Sequence, residues 1–349
     1  MPEDTSFDLP RDSTTVRLQL INTGSRLLCK ANTLIEPEID GHGFLNLPNV
    51  YWLVENLRTG RNVLFDCGVR KSFKDLPPFA LGILEVSTSG LHVNATEIDW
   101  VIWSHHHCDH TGDPSRFPSN VGIVVGPGFT AAHLPAYPAN PKSGMLEKDF
   151  VGRPFWELRF DHNRTIGGFR AYNFWGDGSL YILDTPGHSV GHTSALARTG
   201  AMDFVFMGGD ICHFPGVSRP SNYIPLPNLI KKISAQLDKN FPCPCADSTF
   251  TSIHPRERRK ANENHFTDPR LAHKTVQKLI IFDAKSNIMV WNEINGWREK
   301  GFKEACHWNF LIQLPRGGQP GRANLGENYL CEGTLYESAE ALKAAGAFT

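Results

Sequence analysis

One short stretch, Ser104 to Asp113, constrains this chain more than any other part of its sequence. It contains the pattern H-x-H-x-D-H, in which His105, His107, Asp109 and His110 place four potential metal ligands within six residues. Imidazole nitrogens suit zinc, iron or copper, and a carboxylate adds a harder ligand. The pattern therefore predicts a metal site, with zinc as the first candidate and iron or manganese as alternatives. A polar turn whose histidines are only solvated is the competing interpretation.

The residues before this pattern predict how it is presented. Ile98 to Trp103 are largely apolar and rich in β-branched and aromatic side chains, which predicts a buried strand that ends at the pattern. Near a strand end, residues two positions apart project to one side, so His105 and His107 can share one ion, whereas His106 is not expected to bind. The aspartate and the last histidine of the pattern lie a turn further on and are expected to face a second ion.

Two later stretches can supply ligands from elsewhere in the chain. An apolar run, Leu180 to Leu183, leads through a Pro-Gly turn to His188. A second apolar run, Phe204 to Met207, leads to Asp210 through two glycines, which permit tight backbone geometry. Each of these two side chains therefore follows a predicted buried strand, and Asp210 is placed to bridge two metal ions.

These motifs, in this order, resemble the metallo-β-lactamase superfamily over roughly residues 15 to 300. Asp66, in the sequence Leu-Phe-Asp-Cys-Gly, resembles the aspartate-glycine element that this family carries after an early hairpin. Within the superfamily the chain looks most similar to fungal members of the N-acyl homoserine lactonase group. The resemblance implies an α/β fold, the αββα sandwich of two mixed β-sheets flanked by helices, with the metals at one edge between the sheets.

The resemblance also implies which residues bind the metals and which act in catalysis. The implied ligands are His105, His107 and His188 for the first ion, Asp109 and His110 for the second, and Asp210 as the bridge between them. Asp109 would also orient the attacking water and pass its proton to the leaving group. His213 stands where the homoserine lactonases have a tyrosine that contacts the substrate carbonyl, and a histidine can donate the same hydrogen bond. A surface histidine without a role is the alternative for His213.

One expected ligand of the second metal is missing from its usual place. Relatives complete that site with a histidine after the strand that follows the helix matching Leu271 to Phe282. Here the predicted strand, Asn287 to Trp291, runs into a stretch without histidine. Either Glu293 or His254 substitutes, or three ligands hold the second ion weakly, or the protein has lost activity. We expect weak second-site binding, and hence one or two ions per chain.

The remaining sequence predicts one large domain with two tails. Residues 1–14 are polar and are expected to form an N-terminal tail. Residues 15–312 are expected to form the hydrolase domain. Residues 313–349 are expected to be a Gly- and Pro-rich tail that carries a short helix, Leu335 to Ala345.

Two irregular segments are expected to line the substrate pocket. Residues 31–49 and 126–154 are rich in proline, glycine or asparagine and lie next to predicted strand ends. Aromatic residues in and after the second segment are Phe129, Tyr137, Phe150, Phe155 and Trp156. These rings either contact an apolar substrate or pin the segment to the core, and the sequence favours neither alternative.

Composition argues against several classes of partner. A formal net charge of −1 over 349 residues gives no field that attracts polyanions, so nucleic acid is not an expected partner. No run approaches the roughly 18 apolar residues of a membrane span, and the N-terminus shows no secretory signal. The eight cysteines are scattered rather than spaced as a disulfide scaffold. We therefore expect a cytoplasmic protein with reduced thiols that acts on a small molecule, and the sequence predicts no oligomeric state.

The motifs and the resemblance together predict a hydrolase in which two cations activate a water molecule for attack on a carbonyl. The leading hypothesis is a lactonase or lactamase that opens a cyclic ester or amide. Its substrate would be a small metabolite or a plant-derived toxin such as a benzoxazolinone-type cyclic carbamate. An acyl thioesterase of polyketide metabolism is the enzymatic alternative. An inactive, metal-poor binding protein of the same fold is the alternative from another class.

Overall fold

A computed structural model describes the parts of the chain that carry these motifs. The described residues are 9–11, 14–30, 35–36, 44–81, 86–87, 93–160, 164–219, 221–225, 251–252, 267–286, 288–290, 329–331 and 334–336. The strands in these ranges are β1 (Val16–Lys30), β2 (Ile35–Glu36), β3 (Phe44–Asn56), β4 (Asn62–Phe65), β5 (Val86–Ser87), β6 (Trp100–Ile102), β7 (Gly122–Val125), β8 (Phe155–Glu157), β9 (Thr165–Ile166), β10 (Phe169–Asn173), β11 (Leu180–Asp184), β12 (Thr193–Arg198), β13 (Phe204–Met207), β14 (Thr251–Ser252), β15 (Ile288–Val290), β16 (Tyr329–Cys331) and β17 (Thr334–Tyr336).

Helices are short except for one near the end of the described sandwich. The α-helices in the described ranges are α1 (Pro78–Leu81), α2 (Cys108–Thr111), α3 (Phe129–His133) and α4 (Pro269–Lys285). Single 3-10 turns lie at Phe73–Asp75, Ala95–Glu97, Pro114–Arg116, Glu147–Asp149 and Pro215–Val217. None of these helices combines the length and the apolar character that a membrane span requires.

Two mixed β-sheets form the body of the fold. The first has seven strands in the order β5-β1-β3-β4-β6-β7-β8, and the second has six in the order β15-β13-β12-β11-β10-β9. In the first sheet β1, β3 and β4 are antiparallel, whereas β4, β6, β7 and β8 run parallel. The second sheet is antiparallel except for the parallel pair β13 and β15. Two small sheets, β2 with β14 and β16 with β17, complete the described strands.

The two large sheets pack face to face through side chains that alternate along each strand. In β4, Val63 and Phe65 belong to the apolar cluster between the sheets, whereas Leu64 belongs to the cluster on the outer face. Strand β11 of the second sheet contributes Leu180 and Ile182 to the same inner cluster. Strands that are buried on both faces need apolar side chains at successive positions. This requirement explains why the predicted strands read as continuous apolar runs.

Each sheet is also covered on its outer face. Helix α4 buries Val276, Leu279 and Ile280 in the apolar cluster of the second sheet, as the helical stripe in the sequence predicts. On the first sheet, the fully buried Phe129 of α3 packs on Trp103 with ring centroids 6.2 Å apart. The predicted αββα sandwich of two mixed sheets is confirmed, with short helices and irregular segments over the first sheet in the part of the chain described.

The aromatic residues after β7 pack inward. The ring of Phe155 lies 6.2 Å from that of Phe129 and 5.7 Å from that of Phe150, measured between centroids. Trp156 packs edge-on against Tyr172 at 5.5 Å. These contacts favour the interpretation that the rings pin the irregular segment to the core, because each ring packs against another aromatic ring of the domain.

The sequence predicts a loop over residues 31–49, and this prediction is wrong from Phe44 onward. Strand β3 begins there and pairs with β1, opposite Lys30. Pro48 fits into β3 where the register with β1 shifts, which is a position that tolerates a residue without a backbone N–H. Long antiparallel pairing thus overrides the local turn propensity of this segment.

The structure describes parts of both predicted tails. Leu9 lies in the apolar cluster of the second sheet, and the carbonyl of Pro10 accepts a hydrogen bond from the buried Arg198. The chain therefore contacts the sandwich before residue 15. The helix predicted to start at Leu335 is wrong at its first two residues, which belong to β17. Residues 337–349 lie outside the described residues, and the domain boundary at residue 312 stays a prediction.

Four strand ends bring Asp66 and the predicted ligands to one edge of the sandwich. Strand β4 leads into Asp66, and β6 leads into the H-x-H-x-D-H pattern. In the second sheet, β11 leads into the turn with His188, and β13 leads into Asp210. Sites in α/β folds form where strand ends and their loops converge. Both sheets therefore contribute to the same edge.

A polar clasp joins the two sheets at their other end. The carboxylate of Asp177 accepts hydrogen bonds from Asn56 Nδ2 at 2.8 Å, from the Arg58 guanidinium at 2.9 Å and from Ser179 Oγ at 2.6 Å. Burial acts to raise the pKa of Asp177, but these hydrogen bonds outweigh it and bring the pKa to about 2. Asp177 is therefore ionised in the folded protein at pH values where the unfolded chain is protonated.

We predict that Asp177→Asn lowers the free energy of unfolding at pH 7 by about 1–2 kcal/mol, because the clasp loses its charged acceptor. The folded pKa lies below the ordinary value, so this contribution is complete above about pH 4 and is lost as the pH falls towards 2. Urea unfolding at pH 7 and pH 2.5 measures the difference. The exposed Asp75→Asn variant is the control. An equal loss of unfolding free energy in both variants would contradict stabilisation by the Asp177 clasp.

Candidate metal centre

The H-x-H-x-D-H pattern is divided between extended chain and helix. His107 is the N-cap residue of α2 and has an extended backbone, with φ −67° and ψ 147°. His105 precedes it, just after β6, whereas Asp109 and His110 lie inside the single turn of α2. The change from extended to helical backbone therefore separates the first two predicted ligands of the pattern from the last two.

Four of the predicted ligands form a first group. His107 Nδ1 lies 2.8 Å from His105 Nε2 and 3.0 Å from His188 Nε2, and the two Nε2 atoms are 3.2 Å apart. Asp210 Oδ2 lies 3.6 Å from His105 Nε2 and 3.4 Å from His188 Nε2. Tetrahedral zinc with bonds of about 2.0–2.1 Å separates its ligand atoms by about 3.3 Å. Three imidazoles and one carboxylate at these spacings fit such a cation.

A second group shares Asp210 with the first. His110 Nε2 lies 3.5 Å from Asp109 Oδ2 and 3.0 Å from Asp210 Oδ1. Asp210 therefore directs Oδ2 to the first group and Oδ1 to the second. A carboxylate with one oxygen in each group has the geometry of a bridge between two neighbouring cations. The structure thus brings together all the predicted ligand side chains in two adjoining groups.

Asp66 orients one of these side chains. Its Oδ2 lies 2.8 Å from His110 Nδ1, and its two oxygens also accept hydrogen bonds from the backbone N–H and the hydroxyl of Ser104. Asp66 has a φ of 63°, in the left-handed region that non-glycine residues rarely adopt. A carboxylate that accepts the Nδ1 proton leaves Nε2 of the imidazole free for a metal. The sequence marked Asp66 as a motif residue, but its contact with His110 needed the structure.

Two further contacts hold helix α2 in place. Asn49 Nδ2 donates to the carbonyl oxygen of Asp109 at 2.8 Å. The fully buried Arg70 pairs with Asp113 at 3.0 Å and with Asp149 at 2.5 Å. The first contact joins α2 to β3. The two Arg70 pairs join the loop that follows α2 to the loop after β4 and to the irregular segment after β7, and so hold the end of the helix that carries the second group.

The imidazoles of the first group are held neutral. Burial lowers the pKa of His105 and His188 well below the ordinary value of a histidine. Burial also lowers the pKa of His107 to about 4. At neutral pH all three rings therefore present a nitrogen lone pair, which is the form that binds a metal ion.

The second group carries the negative charge of the site. Burial acts to raise the pKa of Asp109 and of Asp210, but the neighbouring His110 outweighs it and both pKa values are lowered. Burial likewise acts to lower the pKa of His110, but the carboxylates of Asp210, Asp109 and Asp66 raise it above the ordinary value. The lowered pKa values keep Asp109 and Asp210 ionised at neutral pH, and two such carboxylates beside one imidazole favour cations.

Two other histidines near the pattern have different surroundings. His106 stacks on His133 with ring centroids 3.9 Å apart and belongs to neither ligand group. His213 Nε2 lies 3.0 Å from Asp210 Oδ2, and its side chain is only 9% exposed. The alternative that His213 is a surface histidine is therefore wrong, whereas its contact with substrate stays a prediction.

The candidates for a further ligand of the second group lie outside the described residues. Strand β15 forms over Ile288–Val290, close to the predicted bounds, and pairs parallel with β13. His254 and Glu293, the two candidates for substitution, lie outside the described residues. In the described part of the chain, the second group consists of Asp109, His110 and Asp210.

Comparisons with known proteins identify relatives of this chain. Residues 45–201 match the family model described as the metallo-beta-lactamase superfamily. The chain is 36% identical over 346 residues to the metallo-hydrolase mfmC of Annulohypoxylon moriforme, covering 87% of this chain and 89% of mfmC. It is 36% identical over 349 residues to the gamma-lactamase FDB1 of Fusarium pseudograminearum, covering 86% of this chain and 83% of FDB1. A crystal structure of a B. thuringiensis AiiA variant, with N-decanoyl-L-homoserine at its active site, has a similar fold (TM-score 0.50, 17% identity, covering 83% of this chain and 96% of that chain).

We predict that Asp66→Asn weakens zinc binding at the second group by about 10–100-fold, because an amide cannot balance the charge or fix the tautomer of His110 as a carboxylate does. Competition of the metal-free protein with a chromophoric chelator measures the affinity. Asp75→Asn, which removes an exposed carboxylate that belongs to neither ligand group, is the control. Equal zinc affinity in wild type and Asp66→Asn would exclude this role.

Proposed function

Because the chain belongs to the metallo-β-lactamase superfamily of metal-dependent hydrolases, we propose that it opens the ring of a small cyclic amide or cyclic ester. A γ-lactam or a cyclic carbamate of the benzoxazolinone type is the first candidate substrate. The likeness to a protein named gamma-lactamase supports the cyclic amide over the cyclic ester. The observation that carries the proposal is the division of the two Asp210 oxygens between two groups of ligand side chains.

We assign the metal ligands as the geometry groups them. The first cation would be held by His105, His107 and His188 and the second by Asp109 and His110, with Asp210 shared by the two ligand groups. Nitrogen and oxygen ligands at near-tetrahedral spacing support zinc as the metal. Iron and manganese accept similar ligands and are the alternatives that analysis of metal content distinguishes.

The side chains around the metals have separate tasks in ring opening. When bound, the cations supply Lewis acidity that activates a water molecule and polarises the substrate carbonyl. Asp109 accepts a proton from the attacking water and passes it towards the leaving nitrogen or oxygen. His213, held beside Asp210, donates a hydrogen bond to the oxygen on which negative charge develops. The neutral imidazoles of the first group keep their geometry throughout.

We predict that the zinc-loaded protein hydrolyses γ-lactams and 2-benzoxazolinone faster than lactones, and lactones faster than acyl thioesters. A parallel assay of these compounds measures kcat/KM for each class. Asp109→Asn should fold but lose most turnover on every substrate, which controls for contaminating activity. Preference for an acyl thioester would favour the thioesterase alternative, and no turnover by a fully metal-loaded protein would favour a binding protein.

We predict that His213→Ala lowers kcat/KM by about 10–1000-fold, because the developing oxyanion loses a hydrogen-bond donor. His213→Tyr should recover part of the loss, since a phenol can donate the same bond. The exposed His273→Ala on α4 is the control, and steady-state kinetics on the best substrate is the measurement. Wild-type activity in His213→Ala would remove this residue from the proposed mechanism.

We predict that the purified protein carries nearer one metal ion than two, because the sequence lacks the histidine with which relatives complete the second site after the strand at 287–291. Activity should rise when zinc or manganese is added. Elemental analysis before and after dialysis against a chelator measures the stoichiometry. Two ions that survive prolonged chelation would show that a further ligand, such as His254 or Glu293, completes the second site.

A further inference from the structure

His192 is a fully buried histidine beneath both ligand groups, although it belongs to neither. It directly precedes β12. Its Nδ1 lies 2.7 Å from the carbonyl oxygen of Thr185, and its Nε2 lies 3.0 Å from the backbone nitrogen of Asp210. The ring thus connects the start of the turn that carries His188 with the residue that bridges the two groups.

The two backbone partners determine the protonation of this ring, and the Thr185 hydroxyl, 3.0 Å from Nδ1, can accept a hydrogen bond from the same N–H. The carbonyl of Thr185 can only accept a hydrogen bond, so Nδ1 of His192 carries the proton. The backbone N–H of Asp210 can only donate, so Nε2 of His192 presents its lone pair. The ring is therefore the neutral Nδ1–H tautomer. Because both nitrogens are engaged by backbone groups, His192 has no ring nitrogen left for a metal ion or a substrate.

The surroundings of the ring leave little freedom for the backbone of Asp210. A Cβ added to Gly209 would lie 2.9 Å from His192 Nε2 and 2.8 Å from the Cβ of Ser104. The His192 ring also lies 5.4 Å from the ring of His105 and 5.6 Å from that of His188, measured between centroids. The ring therefore packs behind ligands from both sheets.

We propose that His192 is a positioning residue that fixes the bridging carboxylate by accepting the backbone N–H of Asp210. Held in this way, Asp210 keeps Oδ1 on the second group and Oδ2 on the first. This inference rests on the proposed function, in which Asp210 binds both metal ions. The sequence offers a signal for it, since Gly-His occurs twice within six residues, at 187–188 and at 191–192.

Two substitutions at this position separate the two hydrogen bonds. In His192→Gln, the amide oxygen can reach the position of Nε2 and still accept from Asp210. In His192→Asn, the amide nitrogen can take the place of Nδ1 and donate to Thr185, but nothing accepts from Asp210. Both variants are polar and smaller than histidine, so a merely structural defect should lower the thermal midpoint of the metal-free protein in both.

The test measures zinc affinity of the full chain by chelator competition, together with the thermal midpoint of the metal-free protein. We expect zinc binding about 10–100-fold weaker in His192→Asn and within about threefold of wild type in His192→Gln, with similar thermal midpoints for the two variants. Equal zinc affinities in the two variants, or weaker binding in His192→Gln, would overturn the inference. Wild type that binds no zinc would refute the proposed function as well.

A measurement on the wild type covers the case in which neither variant folds. In metal-free protein labelled with ¹⁵N-histidine, His192 should show a protonated Nδ1 and an unprotonated Nε2 at pH 7. A proton on Nε2 would mean that it cannot accept from Asp210, and would overturn the inference without any substitution.

Discussion

The carboxylate of Asp210 is the group on which the rest of this structure depends. Its oxygens lie 3.0–3.6 Å from ring nitrogens of four histidines, His105, His110, His188 and His213. Burying a carboxylate and several imidazoles together is unfavourable unless charges are paired or a cation is bound. Such a cluster contributes little to folding for its own sake. Cation binding would account for this arrangement, and shifted pKa values of this kind are typical of functional sites.

The sandwich matters because each sheet supplies half of this site. The first sheet presents Asp66 and the H-x-H-x-D-H pattern, and the second presents His188 and Asp210. The apolar cluster between the sheets sets their relative position, and the Asp177 clasp fastens their other end. Metal ions at the edge would therefore join the two sheets. Loss of packing between the sheets and loss of metal binding should be coupled for this reason.

Sequence patterns predicted those parts of the fold and of the candidate site in which the relevant contacts are local. The spacing of the H-x-H-x-D-H pattern, and the apolar runs before His188 and Asp210, predicted the ligand side chains that the structure brings together. The start of β3 at Phe44 could not be predicted in this way, because pairing with β1 overrides the local turn residues. The contact of Asp66 with His110 joins residues 44 positions apart, so no local spacing encodes it.

Anomalous diffraction from zinc-soaked crystals, recorded at the zinc absorption edge, tests the central claim most directly. The account predicts a strong peak in contact with His105, His107, His188 and Asp210, and a weaker peak beside Asp109, His110 and the other oxygen of Asp210. A zinc peak away from these side chains, or no peak at Asp210 in crystals that bind zinc elsewhere, would contradict it.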